Sequence, residues 1–314
     1  MVRIALIVCV LFGAALPAAA SARIPIRVGM GDQQAAMFDQ PAYQRLKIKR
    51  VRYFIRWNAM RDPQRLADAT AYVRRARAAG TQVLLHLSTD DFTPRKAHLP
   101  TTAEYHRELR TLVPYFRRLG VREFGAWNEV NNATQPTYKS PTRAAAYFRD
   151  MYRVVKGGCA SCTVVALDVL DQSGVERYIK RFYGALSPTF RRRASVVGLH
   201  NYGDVNRLRS TYTRSMIRTV KRSNPRATFW LTETGGLVKL GPSFPFSPAR
   251  AKSRLGQMFR LANANRRSGI TRLYIYSWTG AQRTERFDAG LTEPNGDVRP
   301  GYTYVRTHIS DYLR

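Results

Sequence analysis

Short apolar runs alternate along the chain with longer stretches whose apolar residues recur every three or four positions. The runs fall at 24–31, 49–57, 81–88, 121–127, 163–170, 195–202, 227–234 and 270–278. Several are rich in β-branched and aromatic residues, as in KRVRYFIRW and ITRLYIYSW, so they read as strands. The stretches between them predict helices at 62–79, 101–120, 140–157, 173–185, 205–222, 247–269 and 300–314, with a short one near 41–46. Helix boundaries are marked by Thr101 and Gly120, by Pro141 in a first turn, and by Ser247 as N-cap with Gly269 as stop. Eight strands alternating with about eight helices describe an α/β protein with a parallel sheet. Strands this apolar suit a barrel or a doubly wound sheet, and the count of eight favours a (β/α)8 barrel. A dinucleotide-binding sheet would carry G-x-G-x-x-G after its first strand. Val28-Gly-Met-Gly-Asp-Gln-Gln does not.

Two segments refine this picture. Residues 1–22, MVRIALIVCVLFGAALPAAASA, have Arg3, an apolar core with Pro17, and an A-x-A end at Ala20-Ser21-Ala22. That is the pattern of a secretory signal peptide cleaved after Ala22, with a membrane anchor as the alternative. Residues 23–314 then form one domain, a length suited to a barrel of typically ~250 residues. Cys9 would leave with the leader, so Cys159 and Cys162 remain and are expected to form one disulfide across a tight turn. They have no second pair with which to build a tetrahedral metal site.

The chain carries 52 Lys and Arg against 21 Asp and Glu, a net charge of +31. One reading is attraction to an anionic glycan, cell wall or membrane surface. The other is a drift toward Arg spread over helix surfaces, as at Arg74-Arg75, Arg117-Arg118 and Arg191-Arg192-Arg193. Nucleic acid is not expected, because no helix-turn-helix, zinc-finger or RNP pattern occurs.

In a (β/α)8 barrel the site lies at the C-terminal ends of the strands. The tips read Arg56-Trp57-Asn58, His86-Leu-Ser88, Trp127-Asn128-Glu129, Asp168, His200-Asn201-Tyr202, Thr232-Glu233-Thr234-Gly235 and Tyr276-Ser277-Trp278. Glu129 and Glu233 end the fourth and seventh strands, which lie across a barrel mouth from each other. Two facing carboxylates are what glycosidic cleavage requires. Asp168 and Asp171 are each placed either to line the cleft or to cap the fifth helix, with the cap preferred for Asp171.

These residues resemble the clan A glycoside hydrolases, barrels with the acid on strand four and the nucleophile on strand seven. The matching pieces are Trp127-Asn128-Glu129, His200-x-Tyr202, Thr232-Glu233-Thr234-Gly235, Trp278 and, on strand two, Arg56. Val130 follows Glu129 where many members carry Pro. The resemblance implies that Glu129 is the acid/base and Glu233 the nucleophile, with retention of configuration and carboxylates ~5–5.5 Å apart. It implies that Arg56 and Tyr202 hold Glu233, that Asn128 binds the sugar 2-hydroxyl, and that Trp278 stacks under a sugar ring. His86 and His200 would shape the floor or bond sugar hydroxyls.

Alternatives remain beside these roles. Trp57, Trp127 and Trp278 also suit the core, and His86 suits a satisfied core histidine. Neither a cofactor nor a metal is expected, since His200 lacks partners at ligand spacing. The reading is a secreted, monomeric retaining β-glycosidase acting on a carbohydrate, with a catalytically inactive carbohydrate-binding barrel as the rival. A serine hydrolase is disfavoured by the lack of a G-x-S-x-G elbow. The Pro- and Phe-rich segment after Glu233 and the segment after Trp278 are expected to wall the cleft.

Overall fold

A computed structural model describes residues 26–312. The leader expected at 1–22 lies outside the described residues. Parallel strands β1 (Arg27–Gly31), β2 (Arg50–Arg56), β3 (Gln82–Ser88) and β4 (Glu123–Gly125) pair in sequence order. The run at 163–170 is one chain segment but two strands, β5 (Thr163–Val165) and β6 (Leu167–Leu170). Ala166 is the break. Before it β5 pairs with β4; after it β6 pairs with β7 (Val196–His200), and the Ala166 N–H already donates to the Val196 carbonyl. The ladder continues through β8 (Thr228–Thr234) and β10 (Ile270–Tyr276) back to β1. The sheet is thus a closed eight-strand (β/α)8 barrel in which one strand changes partner at its middle, as the sequence pattern implied.

The helices form the outer layer: α1 (Pro41–Gln44), α2 (Pro63–Ala78), α3 (Thr102–Arg118), α4 (Pro141–Gly158), α5 (Val175–Gly184), α6 (Pro188–Arg193), α7 (Tyr202–Asn206), α8 (Thr211–Ser223), α9 (Pro248–Ala264) and α10 (Pro300–His308). Local chemistry explains their starts. Asp62 accepts from Arg65 N–H before Pro63, and Thr101 and Glu104 form a reciprocal capping box. Ser247 caps α9 through Arg250 N–H. That helix ends at Ala264 rather than 269. The helix expected at 205–222 is split into α7 and α8, and α6 is an additional short helix. Asp171 does not cap α5, whose N-cap is Gly174 at φ +82°. Its carboxylate instead accepts from the Gly203 and Asp204 N–H groups at 2.9 and 2.7 Å, so it holds the start of α7.

Two short strands complete the mouth. β9 (Lys239–Leu240) pairs antiparallel with β11 (Phe287–Asp288), which ties the two long segments after β8 and β10 into one wall.

The barrel interior is layered. Nearest the N-terminal ends of the strands, Leu84, Val165, Trp230 and Tyr274 pack together. Arg272 lies 3.7 Å over the Trp230 ring and donates to Glu123 at 2.6 Å and to Tyr274 Oη at 3.1 Å. The next layer up is polar, and two glycines make room for it. A methyl group at Gly125 would overlap the His86 ring, and one at Gly198 would overlap the Asp168 carboxylate. Cys159 and Cys162 are disulfide-bonded at the end of α4.

Candidate active site

Asn128 and Glu129 leave β4 in a tight turn held from several sides. Glu129 sits at φ +40°, a left-handed conformation that costs a non-glycine residue about 1–2 kcal/mol. Its surroundings over-determine it. Asn128 N–H donates to the Leu87 carbonyl at 2.7 Å and Val130 N–H to the Asp168 carbonyl at 2.9 Å. Asn131 clamps Leu170 through both its amide groups, at 2.8 and 2.9 Å. The strained residue is the one whose carboxylate points into the cleft, the usual place for such outliers.

Glu233 comes from the end of β8. Its Oε1 accepts from Arg52 Nη1 at 2.7 Å, and its Oε2 from Tyr202 Oη at 3.4 Å. Arg52 also donates to Asn128 Oδ1 at 2.5 Å and His86 Nδ1 at 3.2 Å, and lies 3.6 Å from Asp168. His200 is the second hub. Its Nδ1 is 2.9 Å from Glu129 Oε1 and 3.6 Å from Glu233 Oε2, and its Nε2 is 2.9 Å from Asp168 Oδ2. Asn132 donates to the other oxygen of Glu129 at 2.6 Å. One ligand atom each of Glu129, His200 and Glu233 lie within 4.8 Å of one another.

The charges follow from this packing. Burial opposes the His200 imidazolium, but the carboxylates of Asp168 and Glu233, with the Asp168 and Glu129 contacts, overcome it and raise His200 to about 10. His86 goes the other way: burial and the positive charges of Arg52 and His200 outweigh Asp168 and lower it to about 3, so it is neutral. Burial also opposes the Asp168 charge, yet His200, His86 and Arg52 hold its carboxyl well below the usual range. Glu233 is pushed up by burial and by the negative charges of Glu129 and Asp168, against the pull of His200 and Arg52. Three carboxylates therefore share two cations, and the site is one proton short of neutrality.

The geometry of Glu129, His200 and Glu233 would suit metal ligands, a convergence that the sequence spacing did not reveal. With His200 protonated and Arg52 on Glu233, however, a divalent ion would compete with cations already seated.

A cleft of about 380 Å3 opens above these groups, within the usual range for ligand sites. Asn128, Glu129, Asn132 and Glu233 reach its floor, and Phe54, Phe92, Leu240, Tyr276 and Phe287 supply apolar walls. Among the described residues no Lys or Arg lines it.

The structure brings together Glu129, Glu233, Asn128, His200 and Tyr202, with His86 buried beneath. It separates two others. The guanidinium against Glu233 belongs to Arg52, not Arg56. Arg56 is four residues further along β2 and half-buried, and its charge acts on Asp91 instead. Trp278 does not face the cleft. It is fully buried, donates to Gln40 Oε1 at 2.8 Å, and packs edge-on against Tyr43 and Tyr302. The aromatic side chain from this strand end that does reach the cleft is Tyr276. Trp127 is also core, stacked on Tyr147 and bonded to Gln135, and Trp57 is buried beside Arg61. The sequence reading missed Arg52, Asn132, Phe54 and Phe92. Only Arg52 left a signal: a charged residue inside an apolar strand, on the same face as Arg56.

No family model matches the sequence, and no curated protein does. Solved structures match in fold at low identity. A glucosidase from Croceicoccus marinus is 13% identical with a TM-score of 0.68, over 88% of this chain and 64% of that one. Fungal β-1,4-galactanases are 13% identical with a TM-score of 0.67, over 91% of this chain and 100% of theirs. An exo-β-1,4-mannosidase from an Opitutaceae bacterium is 14% identical with a TM-score of 0.64, over 92% of this chain and 60% of that one. This chain thus spans less than two thirds of the glucosidase and of the mannosidase. In fold it is the (β/α)8 barrel that these glycosidases share.

Proposed function

We propose that the protein is a retaining β-glycosidase that acts outside the cytoplasm. The observation that carries this reading is the approach of Glu129 and Glu233 within 4.8 Å in one cleft, close to the ~5–5.5 Å of retaining pairs and short of the ~6.5–9.5 Å of inverting ones. Glu233, held by Arg52 and Tyr202, attacks the anomeric carbon. Glu129 gives its proton to the departing oxygen, and a glycosyl ester forms on Glu233. Glu129 then takes a proton from water, which attacks the same carbon and frees Glu233 with net retention. Asn128, fixed by Arg52, is placed for the sugar 2-hydroxyl. His200 and His86 act as positioning residues, the first on Glu129 and the second under Arg52.

The cleft also speaks to the substrate. Among the described residues its lining holds two carboxylates and no Lys or Arg, and the two nearest cations, Arg52 and His200, are already engaged by Glu233 and Glu129, so no free cation is offered to a sugar acid. A neutral glycoside fits, with an apolar or aromatic group beside Phe54 and Phe92. The anionic partner suggested by the +31 charge is therefore not sought at the reacting sugar. Secretion is supported by the leader-like residues 1–22 and by the disulfide, a bond that persists in oxidising compartments.

The test is hydrolysis of a panel of neutral aryl β-glycosides by the purified chain, with anomeric configuration followed by NMR, beside Glu233→Ala. Retention in the wild type and a loss of at least about a thousandfold in the variant are expected. Inversion would sink the double-displacement reading. Glycan binding without turnover in either protein would favour a binding barrel.

A further inference from the structure

The surface charge is not spread evenly over the barrel. Because all eight strands are parallel, the segments that lead into them lie together at one end, opposite the cleft. Those segments are 45–50, 77–82, 117–122, 156–162, 191–195, 221–227 and 265–269. They carry four, one, three, one, three, three and two Lys or Arg, seventeen in all, and not one Asp or Glu. The chain end after α10 adds one acid, Asp311, to this end. The segments at the cleft end are 32–40, 57–62, 89–101, 126–140, 171–174, 201–210, 235–247 and 277–299. They carry ten Lys or Arg and twelve Asp or Glu. Of the two ends of the barrel, only the one away from the cleft carries a cation excess.

None of the seventeen side chains belongs to a buried residue, and among the described residues none lies within 4.0 Å of a carboxylate. Cations at helix C-termini are expected from the helix dipole, and that accounts for residues such as Arg117 and Arg192. It does not account for Lys47, Lys49, Arg122 and Arg226, which lie in the loops, nor for the absence of Asp and Glu from these seven segments. Seventeen unpaired like charges on one end repel each other and cost stability unless something anionic lies against them.

The connecting segments are all short at this end, whereas the cleft end has long ones such as 277–299. The basic end is thus a broad, low face rather than a groove.

We propose that this end of the barrel docks on an anionic phospholipid surface, with the cleft turned away toward solvent. Lys and Arg near such a surface each add attraction that decays within a Debye length, so many loosely placed cations suffice without a shaped pocket. This inference is independent of the catalytic reading.

The experiment compares partitioning of the full chain onto vesicles of phosphatidylcholine alone and with phosphatidylglycerol. One variant reverses four charges on the basic end (Lys49→Glu, Arg122→Glu, Arg192→Glu, Arg226→Glu). The control reverses four at the cleft end (Arg95→Glu, Lys96→Glu, Lys139→Glu, Arg286→Glu). Both change the net charge equally and both keep the apolar N-terminus. The basic-end variant should lose binding to the anionic vesicles at least a hundredfold, and the control less than fivefold. Wild-type binding should also fall steeply between 50 and 500 mM salt, a test that needs no variant to fold. Equal losses in the two variants, equal binding to neutral vesicles, or binding to long-chain polyphosphate but not to anionic vesicles would each overturn the proposal.

Discussion

At the C-terminal end of the strands, Glu129, Glu233 and Asp168 share Arg52 and His200 inside the barrel. At the N-terminal end, Glu123 has Arg272 to itself, roofed by Trp230 and bonded to Tyr274. The same residue types serve opposite ends. The lower pair is matched one to one, with Arg272 against the Trp230 ring and bonded to Tyr274. The upper cluster has more acid than base, and its environments push Glu233 up while holding Asp168 down. The proposed reaction, which both releases and takes up a proton, would draw on environments set apart in this way.

Substitutions can separate the two ends. The largest stability effect is expected at the floor. Arg272→Met leaves Glu123 buried without its partner and should cost about 3–5 kcal/mol in denaturant unfolding, with turnover per folded molecule unchanged. A loss of turnover instead would mean that the floor pair tunes the cleft. At the upper end the contrast between Arg52 and Arg56 is sharper than either variant alone. Lysine cannot span Glu233, Asn128 and His86 as a guanidinium does. Arg52→Lys should lower kcat/KM by about a hundredfold, whereas Arg56→Lys should stay within about twofold. Equal losses would return Arg56 to the site.

The smallest effect is a pH dependence. His200 is raised in the folded protein to about 10 from an ordinary value of 6.5. The stabilisation it lends is complete below pH 6.5 and is lost as pH rises through about 10. Unfolding midpoints should therefore decline across that window in the wild type and decline less in His200→Gln. The floor pair contributes nothing there, because the Arg272 charge is held above the ordinary arginine value. A flat wild-type profile would mean that His200 is not protonated in the folded state.

Much of this was legible in the sequence, and the gaps have identifiable causes. The alternation of apolar runs and helical stretches, the helix starts at Thr101 and Ser247, and the polar strand tips are local properties. Glu129 and Glu233 followed from strand order alone. Arg52 did not, because strand period assigns a face and not a depth; Arg52 and Arg56 share a face about two pleats apart. Trp278 was misplaced because its direction depends on how the chain turns after β10 onto Gln40 and Tyr302. Asp171 was assigned to the helix next in sequence, when the N–H groups within reach were those of Gly203 and Asp204. The β9–β11 pair was invisible, since strands of two residues carry no period.

The sequence by itself determined the class of fold, the ends of most elements and the two glutamates, because periodicity, capping and strand order act over a few neighbouring residues. The tertiary structure alone decided which arginine meets Glu233, which histidine is charged, and which end of the barrel carries a cation excess. Those outcomes depend on distances between residues far apart in the chain, and only a closed parallel barrel sets them.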